Sequence, residues 1–118
     1  MSKKRAEQSP ASVTAERAGR LFRMLTLLAA GPQARTTLTR RLRLGVRGFY
    51  RDLEVLRDAG IRVALSNGKY ALLEDAAAAI ERLPFPDPGL TLGEARQLAR
   101  GRRDANKKIR LQLHKIEH

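Results

Sequence analysis

Residues 35–51 read Arg35-Thr36-Thr37-Leu38-Thr39-Arg40-Arg41-Leu42-Arg43-Leu44-Gly45-Val46-Arg47-Gly48-Phe49-Tyr50-Arg51. This stretch decides the fold. Its seventeen residues carry six arginines and no acid. Leu38 and Leu42 stand one helical turn apart, Leu44-Gly45 interrupts, and Val46, Phe49, Leu53 and Leu56 follow at spacings of three, four and three. That periodicity predicts two short amphipathic helices joined by a tight turn, each with one buried stripe. Thr36 or Thr37 is placed to cap the first, which runs through Leu42. The second runs from Val46 to about Ala59, with Gly60 as its stop.

Upstream, Thr14 is placed to cap a helix to about Ala30, and Glu16 suits its first turn. Ala18, Leu21, Phe22, Leu25, Leu28 and Ala29 form its expected stripe, and Gly31-Pro32 ends it. Downstream the period changes to two: Ile61, Val63 and Leu65 alternate with Arg62 and Ala64. Asn67-Gly68 then separates this run from Tyr70, Ala71 and Leu72, which is a strong hairpin signal because both turn residues need positive φ. Three helices followed by a hairpin is the order of a winged helix-turn-helix.

The predicted fold class is therefore mainly α with a small β-hairpin. Residues 1–13 are expected to be a disordered basic tail, 14–73 the winged helix-turn-helix, and 74–118 a helical extension. Within the extension an alanine-rich helix is expected over about 75–83. Residues 84–89, Pro-Phe-Pro-Asp-Pro-Gly, are expected to form a stiff extended spacer. Thr91-Leu92-Gly93-Glu94 is a capping-box pattern opening a helix over about 92–100. Gly101 interrupts, and Asp104 is placed to cap a last helix over about 104–116.

Composition narrows the function. The 118 residues suffice for one small domain with some extra helix. Aromatics are only 4%, so the core must rest on Leu, Ala, Val and Ile. The net charge of +12 opposes compactness by self-repulsion and points to a polyanionic partner, of which nucleic acid is the commonest. There is no cysteine, so disulfide and thiol chemistry are excluded. The longest near-apolar run, Met24 to Ala30, is too short for a bilayer, and Met1-Ser2-Lys3-Lys4-Arg5 does not open a signal peptide. A soluble protein of the cytoplasm and its nucleoid, with no membrane partner, is expected.

On the helix from Val46, Arg47, Arg51, Glu54 and Asp58 lie opposite the apolar stripe. The outward face is basic in its first half and acidic in its second. A recognition helix entering the major groove by its N-terminus wants that polarity. Arg47 and Arg51 can each fork onto a guanine edge or a phosphate pair. Tyr50, at the edge of that face, is placed to offer its hydroxyl to a phosphate. The competing view is a solvated face in which Glu54 and Asp58 partner the arginines.

Arg35, Thr36, Thr37 and Arg43 belong to the preceding helix and the turn, where hydroxyls, amides and guanidinium groups position a domain on phosphates. Arg41 is instead a candidate partner for Asp52. Asn67 and Lys69 at the hairpin tip, with Arg62 on a strand, are candidate contacts to flanking DNA, against a plain tight turn. Tyr70 belongs to the hairpin core.

Arg96 to Lys115 holds eight basic residues against one acid, Asp104. Ile109, Leu113 and Ile116 share one side of the last helix and Leu111 takes the other. One side can pack on the domain and the other suggests a second copy of the chain, so Ile109, Leu111, Leu113 and Ile116 are candidate dimerisation residues. The alternative is a frayed basic tail. His114 and His118, without Cys or a carboxylate cluster, are a weak metal signal. No cofactor and no metal site are expected. There is no phosphate-cradling loop, nucleophile–base pair or convergent carboxylate pair, so the chain reads as a binding protein and not as an enzyme.

Residues 20–73 resemble the N-terminal winged-helix domain of the WYL family of bacterial regulators, related to the DeoR-type winged helices. The resemblance rests on Arg20-Leu21 with Leu25 and Leu28, on Leu38 with Leu42, and on Phe49-Tyr50-Arg51-Asp52-Leu53 with Leu56. Asp58-Ala59-Gly60-Ile61 and Gly68-Lys69-Tyr70-Ala71-Leu72 complete it. The resemblance implies DNA binding by the third helix, with Arg47, Tyr50 and Arg51 at the interface. Gly45 stands where those domains usually place Ser, and Gly48 where they place Thr. Gly48 removes a hydroxyl that would contact DNA and lets the backbone approach the duplex. The ligand-sensing domain of the family is not present, although Leu83 to Arg100 resembles the linker helix that precedes it, so the chain looks like a stand-alone or truncated member. The expected function is sequence-specific binding of double-stranded DNA in transcription regulation, as a homodimer, with a separate sensor protein as a candidate partner. The alternatives are nonspecific nucleic-acid binding, to the nucleoid or to RNA, and a protein-interaction module.

Overall fold

The computed structural model describes residues 13–86, 90–100 and 104–117. The first helix, α1 (Ala15–Ala29), starts where the Thr14 hydroxyl accepts a hydrogen bond from the Arg17 amide at 3.0 Å. Val13 and Ala18, the two residues that would form a hydrophobic staple around that cap, are both buried. Val13 thus belongs to the core and not to the tail, the rest of which lies outside the described residues. The stripe is as expected at Ala18, Leu21, Leu25 and Leu28, but Ala29 is exposed and Met24 is fully buried in its stead.

Strand β1 (Gln33–Ala34) leads directly into α2 (Arg35–Leu42), which buries Leu38 and Leu42. Neither Thr36 nor Thr37 is the cap: Ala34 holds that position with no side-chain bond. Because β1 delivers the chain already extended, the helix begins earlier and both threonines fall inside its first turn. Arg43 closes α2 in the left-handed region (φ 54, ψ 49), with the Leu44 amide donating to the Thr39 carbonyl at 2.9 Å. After Gly45, an extended N-cap residue, comes α3 (Val46–Asp58). It ends where Gly60 turns to φ 78 and the Ile61 amide reaches the Leu56 carbonyl at 2.9 Å.

Strands β2 (Val63–Ser66) and β3 (Lys69–Leu72) pair antiparallel, Val63 opposite Leu72 and Leu65 opposite Tyr70. Asn67 (φ 52) and Gly68 (φ 76) make the turn with the two positive φ values that a right-twisted hairpin demands. The sheet is larger than a hairpin. Gln33 and Ala34 pair with Tyr70 and Lys69, giving the order β1-β3-β2.

Helix α4 (Ala76–Glu81) is capped by Asp75, and α5 (Leu92–Leu98) by a complete Thr91–Glu94 capping box. Between them the expected extended spacer is overturned in its described part. Pro84 bridges Thr91 antiparallel, and the Phe85 amide donates to the Leu90 carbonyl at 3.0 Å. This pairing accompanies burial of the Phe85 ring, which is 1% exposed. Gly93 sits where a Cβ would lie 2.9 Å from the Glu81 carbonyl oxygen. Gly93→Ala is therefore expected to destabilise by about 1–3 kcal/mol through overpacking. A thermal melt indistinguishable from the parent's would refute that approach of α5 to α4.

Helix α6 (Asp104–Glu117) lies against α1, so close that a Cβ on Gly19 would be 3.3 Å from the Ile116 carbonyl oxygen. Leu113 and Ile116 are buried and Ile109 packs against them, in one cluster with the residues of α1 to β3. Three of the four candidate dimerisation residues thus serve the chain's own core, because the basic helix closes over α1. Only Leu111 faces outward, 66% exposed. Described residues of the extension, from Ala79 to Ile116, lie in the same core cluster as those of 14–73.

Candidate nucleic-acid interface

Helix α3 is anchored from behind. Phe49, Leu53 and Leu56 are buried, and the Phe49 ring meets Tyr70 edge-on at 5.2 Å and Tyr50 at 5.3 Å. A second anchor is ionic. The Asp52 carboxylate is wholly buried and accepts from Arg17 Nε at 3.0 Å and from Arg20 Nε at 2.7 Å, both on α1. The hydrogen bond to Asp52 holds the Arg20 guanidinium above its ordinary pKa, against burial. Arg41 is exposed and does not pair with Asp52, whose two oxygens are already taken by α1. The buried carboxylate faces α1, and only the tertiary packing reveals which arginines reach it.

With its back held, α3 presents Arg47 and Arg51 to solvent. Among the described residues neither forms an ion pair with Glu54 or Asp58, so the picture of locally partnered arginines does not hold. An open cleft of about 770 Å³ runs along this face, lined by Val46, Arg47, Tyr50, Arg51, Glu54 and Arg57. At 100° per residue, Val46, Tyr50 and Arg57 lie beside the expected face of Arg47, Arg51, Glu54 and Asp58, all four of which are exposed. Arg57 enters the lining and Asp58 leaves it. Asp58 is nonetheless exposed, so the acidic end of the outward face remains. Arg57 was readable as part of the Tyr50, Glu54, Arg57 series, spaced four and three.

Val46 was expected in the core and is 51% exposed. It is the first residue of α3, and side chains lean toward the N-terminus of their helix. Its isopropyl group therefore overhangs the helix start, beyond the last core contact. Tyr50 is also exposed, and its hydroxyl accepts from Arg35 Nη1 at 3.4 Å. That bond lowers the Tyr50 pKa, and the neighbouring Tyr70 hydroxyl adds to the effect. Burial, followed by Tyr50, raises Tyr70, which is a core residue as expected.

The other candidate residues lie around this centre. Arg35 is joined to it through Tyr50. Gly48 is half-buried on the other flank of α3, lining a small recess with Thr14, Glu16, Arg17, Arg20, Arg51 and Asp52. A Cβ there would lie 3.2 Å from a Leu44 methyl group, so the position is tighter than sequence alone conveys. Arg43, in the turn, and Asn67 and Lys69, at the hairpin tip, are exposed; Thr36 is exposed and Thr37 half-buried. None of these five lines the cleft.

Two helices joined by a turn, followed by a hairpin whose sheet has the order β1-β3-β2, make the chain a mainly α fold with the element order of a winged helix-turn-helix and a C-terminal helical extension. Comparison with protein-family models, curated proteins and solved structures returned no match. Among the described residues no helix is long and apolar enough to cross a membrane.

Proposed function

We propose that the chain binds double-stranded DNA sequence-specifically and regulates transcription, with α3 in the major groove and the β2–β3 wing on flanking DNA. One observation carries this reading. Arg47 and Arg51 stand exposed, a turn apart and, among the described residues, without acidic partners, on a helix braced from behind by Phe49, Leu53, Leu56 and Asp52. A guanidinium with no carboxylate to leave keeps its donors for a guanine edge, and a braced helix presents them in one geometry. Arg35 and Tyr50, bonded at the flank of the same face, fit a phosphate contact. The resemblance of residues 20–73 to WYL-family winged helices supports the same conclusion. Action in the bacterial nucleoid follows from it, and Leu111 remains the contact available to a second copy.

The test is selection of bound duplexes from random DNA, followed by competition with excess random duplex. Specific binding survives the competitor. Affinity for the selected duplex should fall on the order of a thousandfold between 50 and 200 mM salt, as several phosphate contacts require. A flat salt dependence would exclude a phosphate-bound mode. Nonspecific binding is the second reading, favoured by Arg57, which returns positive charge to the far end of the cleft. It predicts that the competitor abolishes binding and that no motif is enriched.

A further inference from the structure

We infer that Val46 reads the C5-methyl group of a thymine next to a guanine taken by Arg47 or Arg51; this rests on the DNA-binding reading above. Among the described residues Val46 is the only wholly hydrocarbon side chain lining the cleft, whose other walls are Arg47, Tyr50, Arg51, Glu54 and Arg57. It is 51% exposed, whereas Phe49, Leu53 and Leu56 of the same helix are at most 2% exposed. Scattered exposed apolar residues are ordinary on protein surfaces. This one is not scattered, since it lines the same cleft as Arg47, Arg51 and Arg57, at the first position of α3. The N-terminal residues of a recognition helix are the ones that meet base edges. There the only apolar feature any base pair displays is the thymine methyl.

The side chain suits the role. A β-branched valine is restricted at χ1, so it loses little freedom on binding. Arg47 is its neighbour in sequence, and Tyr50 follows one turn on. An apolar contact and a bidentate donor side by side select a thymine adjacent to a guanine, which neither would select alone.

The experiment uses the full chain and the duplex selected from random DNA, with each thymine replaced in turn by deoxyuridine, which lacks only the methyl group. At one thymine beside a conserved guanine the substitution should weaken binding by the parent about three- to fivefold, the worth of one buried methyl. Val46→Ala should lose a similar factor on the thymine duplex and be indifferent to deoxyuridine there. Val46→Thr, which keeps one methyl group, should remain sensitive. Tolerance of deoxyuridine at every position by the parent, or equal sensitivity in Val46→Ala, overturns the inference while leaving DNA binding intact. Failure to enrich any duplex overturns the DNA-binding reading itself, and this inference with it.

Discussion

Asp52→Ala lowers the stability of the domain by about 3 kcal/mol or more, because it strands cations that were placed to meet a buried carboxylate. The carboxylate has no exposed surface, and Arg17 and Arg20 keep 27% and 20% of their side-chain exposure. Removing one member of a buried pair usually costs 3–5 kcal/mol, and the lower end, about 3, applies here because both guanidinium groups can turn partly toward water. For a domain of this size the melting temperature should drop by on the order of 10 °C. Arg41→Ala is the control. Arg41 is exposed and outside the cluster, so its removal should leave the melt unchanged. If Asp52→Ala melts with the parent, the α1–α3 clamp contributes nothing. If Arg41→Ala matches the loss, the assignment of partners is wrong. The clamp also matters for function, since it ties the helix that carries Arg47 and Arg51 to the longest helix of the domain.

Arg47→Ala and Arg51→Ala should each weaken binding to the selected duplex by about 1–3 kcal/mol, roughly five- to 150-fold, and relax the preference at one base pair. Both side chains are exposed and make no ion pair among the described residues, so neither change should alter the melting temperature. That separates this pair from Asp52, where stability falls first and binding only as a consequence. Lysine at position 47 keeps the charge but not the planar fork, so most of the specificity should be lost with it. Fluorescence anisotropy at one fixed salt concentration measures all of these. An Arg47→Ala protein that binds its duplex as tightly as the parent removes α3 from the recognition role. A uniform loss across all sequences would instead make Arg47 a phosphate contact.

Much of this was legible in the chain. The Thr14 cap, the Asn67-Gly68 turn and the Thr91–Glu94 capping box are decided within four residues, and each forms as expected. The failures have a common form. Thr36 and Thr37 are ordinary capping residues whose role was removed by β1, a strand of two residues that has no period of its own. It exists because β3 presents an edge to Gln33 and Ala34. The proline-rich segment has the composition of an extended spacer, yet it turns back with Phe85 in the core. Leu113 and Ile116 are an apolar stripe that any surface could cover, and α1 covers it.

By itself, then, the sequence determined which segments are helical, where they stop, and that one helix of a helix-turn-helix carries outward arginines. Those properties rest on neighbours three or four residues apart and on turn chemistry. The tertiary structure decided which residues share the cleft: Val46 and Arg57 line it with Arg47, Tyr50 and Arg51, while Asp58, also exposed, lies outside it. The setting of α3 is held by Tyr70 behind Phe49 and by Arg17 and Arg20 on Asp52, the last two 35 and 32 residues distant. No local period encodes contacts of that reach, because which side chain arrives there depends on how whole helices pack.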